Sequence, residues 1–388
     1  MTDSSTVTNI YDQLQSVTAA QRLDHLIEHL TGDRRAMELF EALKMRSRQR
    51  LGLPLIAPEN ETLLSEDVET QLEADMIDAC RTAGTLLLED GKVAPGWMYL
   101  RPTGDLQLAR DLLSGIELTP DNHDDMVAVL LNEGVDVARG YQAVLDRQGT
   151  CNAITTYQQS IVSRPKEQRQ AAAKTLLRHF YSELCQAVRD DISRRMAPAD
   201  PNDPLGKLIA DRPELLSDGG YHLDTTHIAS VVQVASLVTD TEDLQKALEL
   251  TDYGRRLHHQ FQYPGEEPYK DFYIAYGTFY RTLLGREVEA GLEYFRRKAE
   301  QIDPLEHGTA AIEAYVDLLE RTGRPLEAIT AATSLAPEGV PPQRIVPMLM
   351  DIAKQLSESQ RQQAGQIIAD YCRQRGDLIG YTAALCES

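Results

Sequence analysis

Apolar residues recur along this chain every three or four positions, the spacing that places side chains on one face of an α-helix. Between residues 171 and 192 the stripe runs through Leu177, Phe180, Leu184, Val188 and Ile192. It returns at Ile228, Val231, Val232, Ala235 and Val238, and again at Ala311, Ala314, Tyr315, Leu318 and Leu319. Alternating apolar and polar residues bounded by hairpin dipeptides, the mark of a half-buried strand, are not seen; the apolar run 85–88 lies inside a longer helical period. Short turn signals separate the stripes: Gly32-Asp33, Asp90-Gly91, Gly104-Asp105, Gly323-Arg324-Pro325 and Gly376-Asp377. Glycine there suits a helix C-terminus, and the following Asp or Pro suits the next helix start. The pattern predicts an all-α chain of antiparallel helical hairpins.

The clearest hairpin is Ala310–Ala336, AAIEAYVDLLERTGRPLEAITAATSLA, in which two helices flank Gly-Arg-Pro and small alanines occupy close-packing positions. This stretch resembles a tetratricopeptide repeat. Residues 82–113 resemble one in part, through Gly84, Leu87, Asp90-Gly91, Trp97, Tyr99 and Gly104-Asp105. The resemblance implies hairpins stacked as an α-solenoid and a concave groove for a protein or peptide partner; it implies no catalytic residue. The order of segments such as LFEALKMRSRQRLGLPL, GGYHLDTTHIASVVQ and TDYGRRLHHQFQYPGEEPYKDFY also resembles a group of large bacterial helical proteins without an assigned activity. That likeness points to a self-contained protein and supplies no site residue.

One break in composition stands out at Met196–Gly206, MAPADPNDPLG, with three prolines and two aspartates. It sets the expected organisation: a disordered tail at 1–8, a helical domain at 9–196, a linker at 197–204 and a TPR-like array at 205–388. The two parts are alternatively one continuous solenoid.

Composition narrows the class of function. With 39 Lys and Arg against 60 Asp and Glu, the formal charge is −21, and such a surface repels nucleic acid and anionic membrane. The five cysteines are far apart and form no Cys-x-x-Cys pair, which argues against a structural zinc site or a disulfide framework. The first residues have no basic start or apolar run of a secretory signal, and no apolar stretch reaches about 18 residues, the length of a spanning helix. A cytoplasmic protein is expected. Phosphate-loop, dinucleotide-loop, His-Glu-x-x-His and Gly-x-Ser-x-Gly motifs are absent. The basic runs at Met45–Arg50 and Arg194-Arg195 read as solvated helix faces.

Candidate chemistry gathers between residues 219 and 273. In GGYHLDTTHIAS, His222, Asp224 and His227 fall within six residues, and two imidazoles with a carboxylate can bind a divalent metal or carry protons. Their five-residue separation is not the four of a helical zinc pair, and Asp224 or Thr225 equally suits a helix N-cap. The stretch 253–273 adds Arg255, Tyr263, Glu267 and Asp271 around a Pro-Gly turn, a mixture of rings and charges suited to recognition. The rings also suit filling a helix junction. If the helices around 228–238 and 271–284 are neighbours, His222, His227, Glu267 and Asp271 converge. The expected ligand-binding set is therefore His222, Asp224, His227, Arg255, Tyr263, Glu267 and Asp271, with His222 and His227 as metal ligands. It serves a binding scaffold first, and an enzyme, with a divalent metal as its possible cofactor, as the alternative. Cys151 and His123 read as a core thiol and a loop histidine, with no base adjacent in sequence to make Cys151 a nucleophile.

Overall fold

The stripes become helices because each must bury its apolar face, and here they bury it mainly against one another. The structure, a computed structural model, describes residues 4–58, 64–210 and 212–387. Among these residues it is all-α, without a strand, and no helix is long and apolar enough to cross a membrane. The chain divides into two compact units, residues 1–149 and 150–388.

In the first unit the helices are α1 (Ser4–Ser16), α2 (Arg22–Gly32), α3 (Ala36–Arg50), α4 (Glu66–Glu89), α5 (Val93–Leu100), α6 (Leu106–Ser114), α7 (His123–Val127) and the first part of α8 (Val137–Thr156). Helix α1 starts at Ser4, so positions 4–8 are helical where a disordered tail was expected; residues 1–3 lie outside the described residues. The repeat-like segment 82–113 runs from the end of α4 through α5 into α6, and the backbones of α4 and α5 approach closely: a Cβ on Gly84 would stand 2.7 Å from Leu100 Cγ, and one on Gly96 would stand 2.6 Å from Leu88 Cδ2. Leu88, Val93, Trp97, Leu100, Leu113 and Met126 form the core beneath. Arg48, expected on a solvated face, is buried, its side chain donating to the Pro54 carbonyl at 2.6 Å.

Gly149 interrupts α8 with φ 75° and ψ 172°, a backbone open essentially to glycine alone, and the first unit ends there. The second unit continues with α9 (Lys166–Arg195), α10 (Leu205–Ala210), α11 (Thr225–Val234), α12 (Thr241–Arg256), α13 (Phe272–Leu283), α14 (Val288–Gln301), α15 (Pro304–His307), α16 (Ala310–Arg321), α17 (Pro325–Leu335), α18 (Pro342–Ala353), α19 (Glu358–Arg375) and α20 (Leu378–Cys386). The expected stripe on α9 is buried along its whole length, from Leu177 to Ile192.

Helices α10, α11 and α12 pack on α9. From α12 onward the packing follows the chain: α12 on α13, α13 on α14, α14 on α16, α16 on α17, α17 on α18 and α19, and α19 on α20. The Pro- and Asp-rich segment lies within this unit and is stapled to it. Arg189 donates to the Asp203 carbonyl at 2.7 Å, the Leu205 N–H donates to the Tyr181 hydroxyl at 3.0 Å, and the Gly206 N–H donates to the buried Glu249 carboxylate at 3.0 Å. Prolines and aspartates make a surface turn as readily as a linker, and buried Leu205, Leu208 and Ile209 decide for the turn.

Candidate functional site

Asp224 ends the loop ahead of α11 and caps it, its carboxylate accepting from the Thr226 N–H at 2.8 Å and from the Thr226 hydroxyl at 2.6 Å. These bonds hold the carboxyl below its ordinary range. The cap fixes the residues before it, and His222 is turned inward with its side chain only 5% exposed. One ring nitrogen, Nδ1, lies 2.8 Å from the Tyr253 hydroxyl of α12, and Nε2 lies 3.3 Å from Asp191 Oδ2 of α9. The His222 backbone N–H also donates to the Tyr253 hydroxyl, at 3.1 Å.

The neutral imidazole with its proton on Nε2 satisfies every group in this set. Nε2–H donates to Asp191, the Tyr253 O–H donates to Nδ1, and the Tyr253 oxygen accepts from the backbone. Burial lowers the His222 pKa, against the opposing pull of Asp191. Burial raises the Asp191 carboxyl, but the hydrogen bonds from Arg195, 2.9 Å away, and from His222 outweigh it and leave the group below its usual value. Although His222 borders a cleft of about 390 Å³ with Asp190, Arg194, Arg195 and Tyr221, both its ring nitrogens already have partners. It is a junction pin between α9, α12 and the loop, with no nitrogen left for a substrate or a metal.

The sign of the pH effect follows. Because the folded pKa of His222 lies below the unfolded value, the unfolded chain takes up a proton first as pH falls through about 6.5. Stability from this group is full above that pH and is lost below it. The melting temperature should fall more steeply between about pH 7.5 and 5.5 in the wild type than in His222→Gln; equal slopes would exclude the pin.

The other expected residues are dispersed. His227 lies half-buried in the first turn of α11. Arg255 stands 3.9 Å from Asp252 of its own helix, and Tyr263 packs edge-on against Phe272 with ring centres 5.1 Å apart. Glu267 accepts from Lys298 of α14 at 2.7 Å and borders a separate cleft with Gly265, Glu266, Lys270, Glu306 and His307. Asp271 precedes α13, where its carbonyl accepts from the Ala275 N–H at 2.8 Å. The two clefts share no lining residue, so the expected convergence of His222 with Glu267 is not formed. Among the described residues no group of three or more His, Cys, Asp and Glu is placed to hold a metal ion.

Most rings of 253–273 fill the junction. Tyr253, Phe272 and Tyr273 are buried, and Tyr269 stacks on Tyr276 with ring centres 4.0 Å apart. Outside the stretch, His123 is buried, bonding Asp124 at 2.9 Å and the Ala143 carbonyl at 3.2 Å, while Cys151 is exposed, where a core thiol was expected.

A third cleft, of about 370 Å³, was not anticipated from sequence. Its floor is one face of α17: Leu326, Thr330, Ala331, Ser334 and Leu335. Arg296 and Glu300 of α14, Tyr315 of α16 and Gln363 of α19 form its walls. The signal was present in the small residues of AITAATS, which leave a hollow where larger side chains would fill the space between neighbouring helices. Comparison of the chain with protein-family models, curated proteins and solved structures gives no match.

Proposed function

We propose that this chain is a helical scaffold that binds a protein or peptide partner in the cleft over α17, its hairpins stacked in the manner of a tetratricopeptide-like α-solenoid. The observation that carries this reading is the cleft itself: one face of a helix left open between the helices on which it packs. Chain-order packing from α12 to α20 supports the stacked arrangement, because solenoid repeats touch mainly their neighbours. The floor from Leu326 to Leu335 spans about 14 Å at roughly 1.5 Å per residue, room for about four residues of extended peptide. The saturated bonding of His222 favours a scaffold over an enzyme centred there. Five free cysteines suit a reducing compartment.

The test is to pan a random peptide library against the full chain and measure the affinity of enriched peptides by fluorescence anisotropy. Thr330→Phe, at an exposed floor position, places a ring in the cleft without adding charge. Affinity should fall about tenfold or more in this variant, with the helical spectrum unchanged. No enrichment, or equal binding by the variant, would reject the reading.

A further inference from the structure

The hydrogen-bonding groups around the α17 cleft are unbalanced. Its one wall cation is already satisfied on three nitrogens: Arg296 donates from Nε and Nη2 to Glu293 at 2.8 and 2.9 Å, and from Nη1 to Glu300 at 2.7 Å. The floor hydroxyls donate inward, Thr330 to the Leu326 carbonyl at 2.9 Å and Ser334 to the Ala331 carbonyl at 3.2 Å. Each such oxygen keeps the capacity to accept a further bond. Glu300 and Glu327 add exposed carboxylates at its edges. Next to the cleft, Arg297 donates to Glu293 at 2.6 Å, and Arg324 pairs with Glu289 while lying 3.9 Å from Glu327. Gln363 and Tyr315 bring donors as well as acceptors, and the two carboxylates with the floor hydroxyls leave the opening with acceptors in excess of donors, on a chain of net charge −21.

We infer that the partner seated in this cleft is a basic segment of a protein, about four residues long, whose Lys or Arg side chains meet Glu300 and Glu327 while an apolar side chain lies on Leu326, Leu335 and Tyr315. This rests on the scaffold reading and specifies its partner. Glu300 keeps its bond from Arg296, but its remaining lone pairs, with those of Glu327 and of the floor hydroxyls, lose water when the cleft is covered, so an occupant that supplies donors is favoured over one that does not. Ammonium and guanidinium groups supply several donors each, together with the complementary charge. An acidic segment would instead place carboxylates against Glu300 and Glu327.

Three pools of fluorescently labelled hexapeptides, identical except for Lys/Arg, Gln or Asp/Glu at two positions flanking a central Leu, are titrated with the full chain. The basic pool should bind about tenfold or more tightly than the acidic pool, and more weakly as salt is raised. The double substitution Glu300→Lys/Glu327→Lys should remove that preference. Glu73→Lys/Glu338→Lys, which makes the same charge change at exposed positions outside the cleft, should largely retain it. Circular dichroism and melting establish that both variants are folded. Preference for the acidic or neutral pool, or equal loss in both double variants, would overturn the basic partner and leave the scaffold standing. Displacement of the basic pool by spermine as readily as by unlabelled peptide would reassign the cleft to free polycations and overturn the proposal. Binding of none of the pools, together with failed panning, would remove the scaffold reading as well.

Discussion

Arg178→Met is expected to destabilise the second unit by about 3 kcal/mol, because it leaves a buried carboxylate without its main partner. Asp243 is fully buried in the first turn of α12. It receives two hydrogen bonds from Arg178 of α9, at 2.7 and 3.1 Å, while the ammonium groups of Lys174 and Lys246 remain 3.9 Å away. The first turn favours a carboxylate, yet that helix-end contribution is about 1 kcal/mol or less and cannot replace the bidentate pair. Arg178 is itself half exposed, so the cost falls mainly on the acid. Converting both residues, as Arg178→Met/Asp243→Leu, should recover much of the loss, since an ion pair replaced by apolar groups is often nearly neutral. Urea titrations of the two variants measure this; a single variant as stable as the wild type would show that the two lysines suffice.

Gly254→Ala is expected to cost a further few kcal/mol, about 3, for a steric reason. A Cβ at this position would lie 2.2 Å from Cε1 and 2.4 Å from Cζ of the Tyr273 ring. That ring is buried and braced by Phe272, with ring centres 5.1 Å apart, so it cannot swing into solvent. The residue beside Gly254 is Tyr253, so the displaced ring should also disturb the His222 contact and flatten the pH dependence of melting. A smaller partner, in Gly254→Ala/Tyr273→Val, should restore part of the stability, with the non-additivity expected of residues in contact. Unchanged melting in the single variant would mean that α12 and α13 separate more easily than their packing implies.

What the sequence made legible was local. A stripe such as Leu177 to Ile192 is defined within one helix, and Asp224 as an N-cap depends on the two residues that follow it. The partners of His222 were hidden because Asp191 and Tyr253 lie 31 residues away on either side, and spacing along the chain does not record which helix faces which. The expected convergence of His222 with Glu267 is absent for the same reason: Glu267 accepts from Lys298, again 31 residues off, in a contact that no motif encodes. Residues 197–204 misled because a stapled surface turn and a flexible linker share one composition. Gly149 was in view, but its meaning lies in a backbone angle. The α17 cleft was hardest to see, since a hollow is made by side chains that are small, and small residues also serve ordinary close packing.

Helix α9 has a different standing in the history of the chain from the helices after it. Pairs such as α16 with α17, or α19 with α20, are joined by two or three residues and can meet as soon as they form. The bonds from α9 instead close distances of 31 residues to His222, 65 to Asp243 and 68 to Glu249. Each doubling of such a loop adds only about 0.6 kcal/mol of closure entropy, but contacts distant in sequence slow the search for the native arrangement. The thirty residues of α9 are thus expected to gain their partners late, after the short hairpins have closed. The central amides of α9, enclosed by α10, α11 and α12, should be among the last in the second unit to exchange with water.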